Sequence, residues 1–417
     1  MIGMHVNTFL FLLNIRGPQN SNKVNRMIFF LSHPIQYFSP MLKLLAKQTH
    51  VKVYYYSDIS LRGGHDEGFG QNVKWDVPLL EGYEHEFIKN LSASPSMNNR
   101  FTDAVNPGIV SVLRKESDNI VVLNGWSYCS DWIVMLTTRF WGKKIWLRCE
   151  SPINQEIRKS GIKKYIKDIV LRHVIFRLLI NKFLYIGTRN KEFYEYYGVN
   201  DMQRLLFTPY SVDNNSLQSH YQANITYKQD LRKRFGVPKD NMKVILFVGK
   251  YITKKRPMDL LMAFSKLPSD DYFLIMVGEG HLRAEMEAFI REKNMKNILL
   301  TGFVNQSNIW DYYVAADTFV MCSGIGETWG LTVNEAMNYK LPVVVSDTCG
   351  CSADLVEHDV NGYVFNEGEI DDLAQCIVKT TENKEITKKM GEHSLRIIKR
   401  YSNEVITANM SHAAVSG

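Results

Sequence analysis

Residues 243–261 read Lys243-Val-Ile-Leu-Phe-Val-Gly249-Lys250-Tyr-Ile-Thr-Lys254-Lys255-Arg256-Pro257-Met-Asp-Leu-Leu261. The unbroken apolar run from Val244 to Val248 is the mark of a strand buried on both faces, as in a parallel sheet covered by helices. It stops at Gly249, passes through a loop with four basic residues in seven positions, and enters a helix at Pro257, a residue suited to the first helical turn. Lysines held at the carboxyl end of such a strand are placed to neutralise a diphosphate; a solvated basic loop is the plainer alternative.

Outward from this unit, apolar runs at 272–277, 298–301, 318–322, 342–346 and 362–365 alternate with helical patterns, and the half before it repeats the arrangement at 27–31, 51–56, 119–123, 144–147, 183–187 and 204–207. The expected fold class is α/β, with two Rossmann-like, doubly wound parallel-sheet domains facing each other across a cleft. The expected division is 1–26 as an N-terminal extension outside the fold, 27–210 as the first domain, 211–226 as linker and 227–395 as the second domain. Residues 396–417 would then form a C-terminal helical segment returning toward the first domain. Residues 209–226 are polar, rich in Asn and Ser and without a clear period, which places the interdomain connection there. Ser402 can cap a helix running to about residue 410, with 412–417 frayed.

The chain has 417 residues, 45% hydrophobic and 22% charged, which excludes a disordered or low-complexity protein. Its net charge of +7 is concentrated: residues 143–182 hold eleven Lys and Arg against three Asp and Glu. Such a field suits an anionic partner, whether phosphate groups, an acidic membrane surface or nucleic acid; the expected one is an anionic membrane surface, and no nucleic acid is expected. On a helical wheel the basic residues of 163–182 do not share one face, so a largely buried helix with basic ends is the alternative. Six cysteines without metal or redox spacing fit a reduced, cytoplasmic protein. Residues 9–13 make a poor signal peptide, lacking a basic leader and a cleavage site, and no run reaches the ~18 apolar residues of a membrane span.

A second stretch carries the chemistry: Gly324-Ile-Gly-Glu327-Thr-Trp-Gly330-Leu331-Thr332-Val-Asn-Glu335-Ala-Met337. A strand leads into a glycine-rich turn and then a helix, whose first N–H groups, around Gly330 and Leu331, form an anion site. Glu327 in the turn and Glu335 inside the helix can each accept hydrogen bonds from sugar hydroxyls; a helix cap and a solvated surface residue are the alternatives. In the first half, His33 ends the first strand, and Arg148 and Glu150 end another. Each pair of readings stays open: a cleft role or a structural histidine, a ligand contact or a buried ion pair. No Asp-any-Asp triplet occurs, so no metal site is expected; residues 369–371 read as a helix cap.

The two glutamates with seven residues between them, followed by Leu341-Pro-Val-Val-Val-Ser346, resemble the signature of the retaining nucleotide-sugar glycosyltransferases of family 4. Gly249-Lys250 with Lys255, Val277-Gly-Glu-Gly280, Thr301-Gly302-Phe303-Val304 and Glu357-His-Asp-Val-Asn-Gly362 agree in order. Ser32-His-Pro-Ile-Gln-Tyr-Phe-Ser-Pro40, Trp75-Asp-Val-Pro-Leu-Leu-Glu-Gly82 and Pro209-Tyr-Ser-Val-Asp213 are similar to bacterial members associated with surface polysaccharide assembly. The resemblance implies a GT-B fold, with a UDP- or GDP-linked sugar held by the second domain and a lipid-linked or glycan acceptor by the first. It implies that Lys250 and Lys255 grip the diphosphate, Glu327 contacts the sugar and Glu335 binds the ribose hydroxyls. Gly249, Gly330, Leu331 and Thr332 would line the donor, Gly302, Phe303 and Val304 would lie near the base, and the loop 350–353 would stand close by. His33, Asn124, Arg148 and Glu150 are the candidates for the acceptor or the cleft, with Arg148 and Glu150 able to meet either acceptor or donor. The family usually has arginine at position 250 and histidine near 124, and a glycine pair where this chain has His33-Pro-Ile-Gln36. The expected activity is retaining hexosyl transfer, cytoplasmic or peripheral at the membrane face, with no metal or cofactor; the alternatives are a non-catalytic nucleotide-sugar binder and a GT-B epimerase.

Overall fold

The structure, a computed structural model, describes residues 26–416 except 67–69, 74–76, 94, 98–99 and 118. Residues 1–25 of the expected extension lie outside the described residues, and Arg26 itself opens the first strand.

Two sheets organise the chain. The first is built from β1 (Arg26–Leu31), β2 (His50–Tyr55), β3 (Glu84–Phe87), β4 (Ile120–Asn124), β5 (Lys144–Arg148), β6 (Lys182–Tyr185) and β7 (Leu205–Phe207). The second contains β8 (Lys243–Val248), β9 (Tyr272–Val277), β10 (Ile298–Leu300), β11 (Thr318–Met321), β12 (Val343–Ser346) and β13 (Gly362–Phe365). Every pairing in both is parallel. The spatial orders are β3-β2-β1-β4-β5-β6-β7 and β10-β9-β8-β11-β12-β13, so each sheet reverses direction beside its own first strand. Ligands of open parallel sheets bind at that reversal, beyond the carboxyl ends.

The strands are buried on both faces, as the unbroken apolar runs require. Ile28 and Phe30 of β1 pack with Ile175 and Phe176 below the sheet, while Met27, Phe29 and Leu31 pack with Ile406 and Met410 above it. In the second sheet Val244, Leu246 and Val248 face Val333 and Met337, and Ile245 and Phe247 face Leu260 and Ile377.

Four expectations are corrected. The polar stretch 209–226, in which the sequence shows no helical period, holds a helix: Asp213 accepts from the Ser216 amide at 3.1 Å and starts Asn214–Asn224. Its burial rests on few residues, chiefly Asn214 and Leu217, so no apolar period shows in the sequence. The end is not frayed: Ser402 accepts from Val405 N at 3.3 Å, and the helix Asn403–Ser416 carries Ala413 and Ala414 buried against the first domain. Glu369 stands at the N-cap of the helix Ile370–Thr380, but its side chain makes no capping bond.

The basic segment is the fourth. The α-helix Ile162–Ile169 continues as a π-helix, Val170–Leu179, whose i→i+5 winding defeats a 3.6-residue wheel. Leu171, Ile175, Phe176 and Leu179 are buried, and Ile162, Tyr165, Ile166, Ile169, Val174 and Leu178 are exposed. Lys164 pairs with Asp168, and Lys167 with Glu156 at 2.6 Å, so both are committed internally. Lys163 and Arg177 are exposed and enter no ion pair among the described residues.

Candidate active site

The carboxyl ends of β8 and β11 bring the two quoted stretches together. Gly324 N donates to Lys254 O at 2.9 Å, and Lys254 Nζ donates to Gly326 O at 3.3 Å, closing the cationic loop against the glycine-rich turn. Lys255 Nζ donates to the Glu327 carboxylate, so Glu327, 8% exposed, is not a helix cap. Burial pushes its carboxyl up, but the charges of Lys255 and Lys254 and the hydrogen bond from Lys255 outweigh that and leave it below the ordinary range, ionised at neutral pH.

Gly330 holds φ +107° at the N-cap of the helix Leu331–Asn338, where a side chain would meet Met321 and Cys349. A Cβ at Gly278 would strike the carbonyl oxygen of Gly249, so these two loops approach at backbone distance.

A cavity of about 320 Å³ is lined by Gly249, Lys250, Lys255, Phe303 and Val304 from two loop regions and by Thr332 and Glu335 from the helix Leu331–Asn338, together with Gln36 and Tyr37 of the first domain. The Thr332 hydroxyl is buried without a hydrogen-bond partner among the described residues. Glu327, Gly330, Leu331 and Gly302 do not line this cavity. Gly302 sits beside it, accepting from Gly278 N at 3.1 Å.

Glu335 is 2% exposed, which excludes the solvated surface residue. Its carboxylate accepts from Tyr313 Oη at 2.7 Å on Oε2, and at longer range from Gln306 Nε2 (3.4 Å) and Tyr37 Oη (3.5 Å) on Oε1. Burial raises its carboxyl above the ordinary range.

The first domain contributes a second cavity of about 550 Å³ at the ends of β1, β4 and β5, lined by His33, Asn124, Trp126, Tyr128, Glu150 and Lys167, with Tyr210 and Thr328. His33 Nδ1 lies 3.1 Å from Ser32 Oγ, and burial lowers its pKa, favouring the neutral imidazole at pH 7. Arg148 is not in an ion pair with Glu150. It lies over the adjoining rings of Phe38 and Tyr210, 4.9 and 4.8 Å from their centroids. Burial raises the Glu150 carboxyl, and the charge of Arg148 and the Tyr210 hydroxyl only partly offset this. Another hollow, of about 680 Å³, is lined by Lys228, Lys243 and Lys340 toward the amino end of β8 and holds none of these residues.

Residues 228–396 match the sequence family described as Glycosyl transferases group 1. This segment is a group 1 glycosyl transferase domain. The group 1 domain therefore contains both lysines and both glutamates singled out above. The chain is 28% identical over 171 residues to the poly(ribitol-phosphate) alpha-N-acetylglucosaminyltransferase of Staphylococcus aureus, covering 39% of this chain and 34% of that protein. It is 30% identical over 174 residues to the D-inositol 3-phosphate glycosyltransferase of Xylanimonas cellulosilytica, covering 41% of each. The matched part spans between a third and a half of the curated relatives that head the comparison. The whole fold is similar to Anabaena Alr3699/HepE, solved in complex with UDP, with TM-score 0.71, 18% identity and coverage of 94% of this chain and 100% of that one. It is also similar to WaaG, a glycosyltransferase involved in lipopolysaccharide biosynthesis, with TM-score 0.64, 14% identity and coverage of 94% and 100%. Both likenesses establish the GT-B fold around the group 1 domain.

Sequence reasoning missed the residues that support Glu335 and the first-domain wall. Tyr37 and Tyr210 stood inside quoted stretches without a role, and Gln306, Tyr313, Trp126 and Gln155 carried no local signal. Tyr37 and Gln155 reach Glu335 and the Glu327 carbonyl from the first domain, 298 and 172 residues away in the chain, while Gln306 and Tyr313 come from the helix Gln306–Ala315 of the second.

Proposed function

We propose that this protein transfers a hexose or related sugar from a UDP- or GDP-linked donor to a lipid-linked or glycan acceptor, with retention of anomeric configuration, in bacterial cell-surface glycan synthesis. The observation that carries this reading is the single cavity that gathers Lys250, Lys255, Thr332 and Glu335 at the switch point of the second sheet.

In this reading the diphosphate lies against Lys250, Lys255 and the helix start at Gly330–Leu331, and no metal is called for. Donors fixed in advance around a leaving group are worth about 10²–10³ in rate each. A ribose hydroxyl takes the Oε1 side of Glu335, displacing the long contacts from Tyr37 and Gln306. The sugar lies beside Glu327, whose ionised carboxylate stabilises positive charge developing at the anomeric carbon. The acceptor hydroxyl enters from the first-domain cavity on the same face. The bond from anomeric carbon to phosphate oxygen breaks as the bond to acceptor oxygen forms, and the leaving phosphate takes the hydroxyl proton.

No helix among the described residues is long and apolar enough to cross a membrane. The exposed row from Ile162 to Leu178, flanked by Lys163 and Arg177, supports peripheral contact with an anionic cytoplasmic leaflet. The test of the reaction is incubation with UDP- and GDP-hexoses and lipid-linked saccharides, with proton NMR of the product. The expected result is acceptor-dependent product with the donor's anomeric configuration. Inverted product would overturn retention, and a changed sugar without acceptor would favour an epimerase.

A further inference from the structure

The loop that carries Glu327 is held from the other domain. Gln155 lies on the short helix Ile153–Glu156 that follows β5, and is 7% exposed. Its Oε1 accepts from Gly326 N at 3.0 Å, and its Nε2 donates to Glu327 O at 2.8 Å and to Thr348 O at 3.4 Å. One amide thus brackets the peptide on which Glu327 sits and ties it to the neighbouring loop. Gly350 N donates to the same Glu327 carbonyl at 3.1 Å, and Asn154 Nδ2 donates to Thr348 O at 3.1 Å.

The short helix is itself anchored from behind. The carboxylate of Glu156, the next residue, takes Lys159 at 2.8 Å, Lys167 at 2.6 Å and the Tyr197 hydroxyl at 2.8 Å. Gln155 therefore stands on a fixed mount in the first domain and reaches the second. A fully buried amide whose donor and acceptor are both used fixes a loop more narrowly than packing alone.

We propose that Gln155 is a positioning residue through which the first domain sets where the Glu327 carboxylate stands. This rests on the reading of Glu327 as the sugar contact. Separation of the two domains breaks the bonds from Gln155 to Gly326, Glu327 and Thr348 and leaves the loop held by its own domain alone, through Lys255 and Gly350 N, so the Glu327 carboxylate is placed most narrowly when the domains are closed on each other.

The test uses the full chain as wild type, Gln155→Ala and Gln155→Leu, the leucine keeping the bulk without the hydrogen bonds. Hydrogen exchange by mass spectrometry should show the peptide containing Gly326 exchanging about tenfold faster in both variants, the loss of about one hydrogen bond, with β11 unchanged. Binding of UDP and UDP-glucose, and of GDP and GDP-mannose, is measured by calorimetry. Both variants should bind the nucleoside diphosphate as wild type does and lose about five- to tenfold on the sugar conjugate. Unchanged exchange at Gly326, or equal loss for diphosphate and conjugate, would overturn the proposal. If wild type binds none of the four, the donor reading falls, while the exchange measurement still decides whether Gln155 holds the loop.

Discussion

The two sheets share one strand order through their first six strands and differ in what stands beyond it. In the second domain the switch point carries Lys250, Lys255 and Glu327 on loops and Glu335 on the helix Leu331–Asn338. In the first, the equivalent place carries His33, Asn124 and Glu150 among Trp126, Tyr128 and Tyr210. One is a compact cationic pocket suited to a diphosphate. The other is larger, aromatic and mixed in charge, suited to a varied polyhydroxyl partner. The lesson is that the sheet supplies a location and the loops supply the chemistry.

The sharpest way to break this contrast is to remove the carboxylate on the donor side. Glu327→Ala should lower transfer by about 10²–10³ while the protein unfolds within a few degrees of wild type. Nucleoside diphosphate release and calorimetric unfolding measure the two, and wild-type turnover would remove Glu327 from the site.

Gly278→Ala addresses the close approach of the loops. The added methyl would meet the Gly249 carbonyl, so the variant should lose about 2–3 kcal/mol of stability, read by urea unfolding. A cost as small as that of an exposed glycine would show that the loops are not held at backbone distance.

The first domain's counterpart is the Glu156 hub. Burial pushes this carboxyl up, but hydrogen bonds from Lys159, Lys167 and Tyr197 outweigh it and hold it at about 2, below the ordinary 4.5. A depressed folded value means that its stability is present in full above about pH 4.5 and is lost as pH falls through 2. Glu156→Gln should cost about 2 kcal/mol at pH 7, with the lysines partly solvated. It should also flatten stability between pH 4.5 and 2. An unchanged acid limb would contradict the hub.

The smallest expected effect lies on the exposed row. Lys163→Ala should leave stability within about 0.5 kcal/mol and weaken binding to phosphatidylserine vesicles by about 1 kcal/mol. Lys164→Ala, by contrast, should show its effect as stability. Equal vesicle effects for both would mean that the internal pairing of Lys164 with Asp168 does not govern what that helix presents.

The same contrast explains what could be read from the chain. In the second domain every expected strand is present, because buried parallel strands such as Val244–Val248 announce themselves as apolar runs, and Glu327 and Glu335 sit in one continuous stretch. In the first domain β3, with the sequence Glu84-His-Glu-Phe87, is an exposed edge strand without an apolar run. Its place is set by pairing to β2 and by Lys52 Nζ meeting Glu86 at 2.8 Å, neither of which has a local signature. The π-helix hid its own two-sidedness by its winding. The partners of Glu335 were invisible for a different reason: Tyr37 lies 298 residues away in the chain, and only closure of the two domains brings it there.

The most direct test of the central claim is thermal unfolding of wild type and Lys255→Ala with UDP, GDP, ADP and CMP at equal excess. The account predicts that UDP or GDP alone shifts the wild type, by about 2.7 kcal/mol at a hundred times its dissociation constant, and that Lys255→Ala loses the shift. A shift of equal size in Lys255→Ala, or none with any nucleotide, would contradict it.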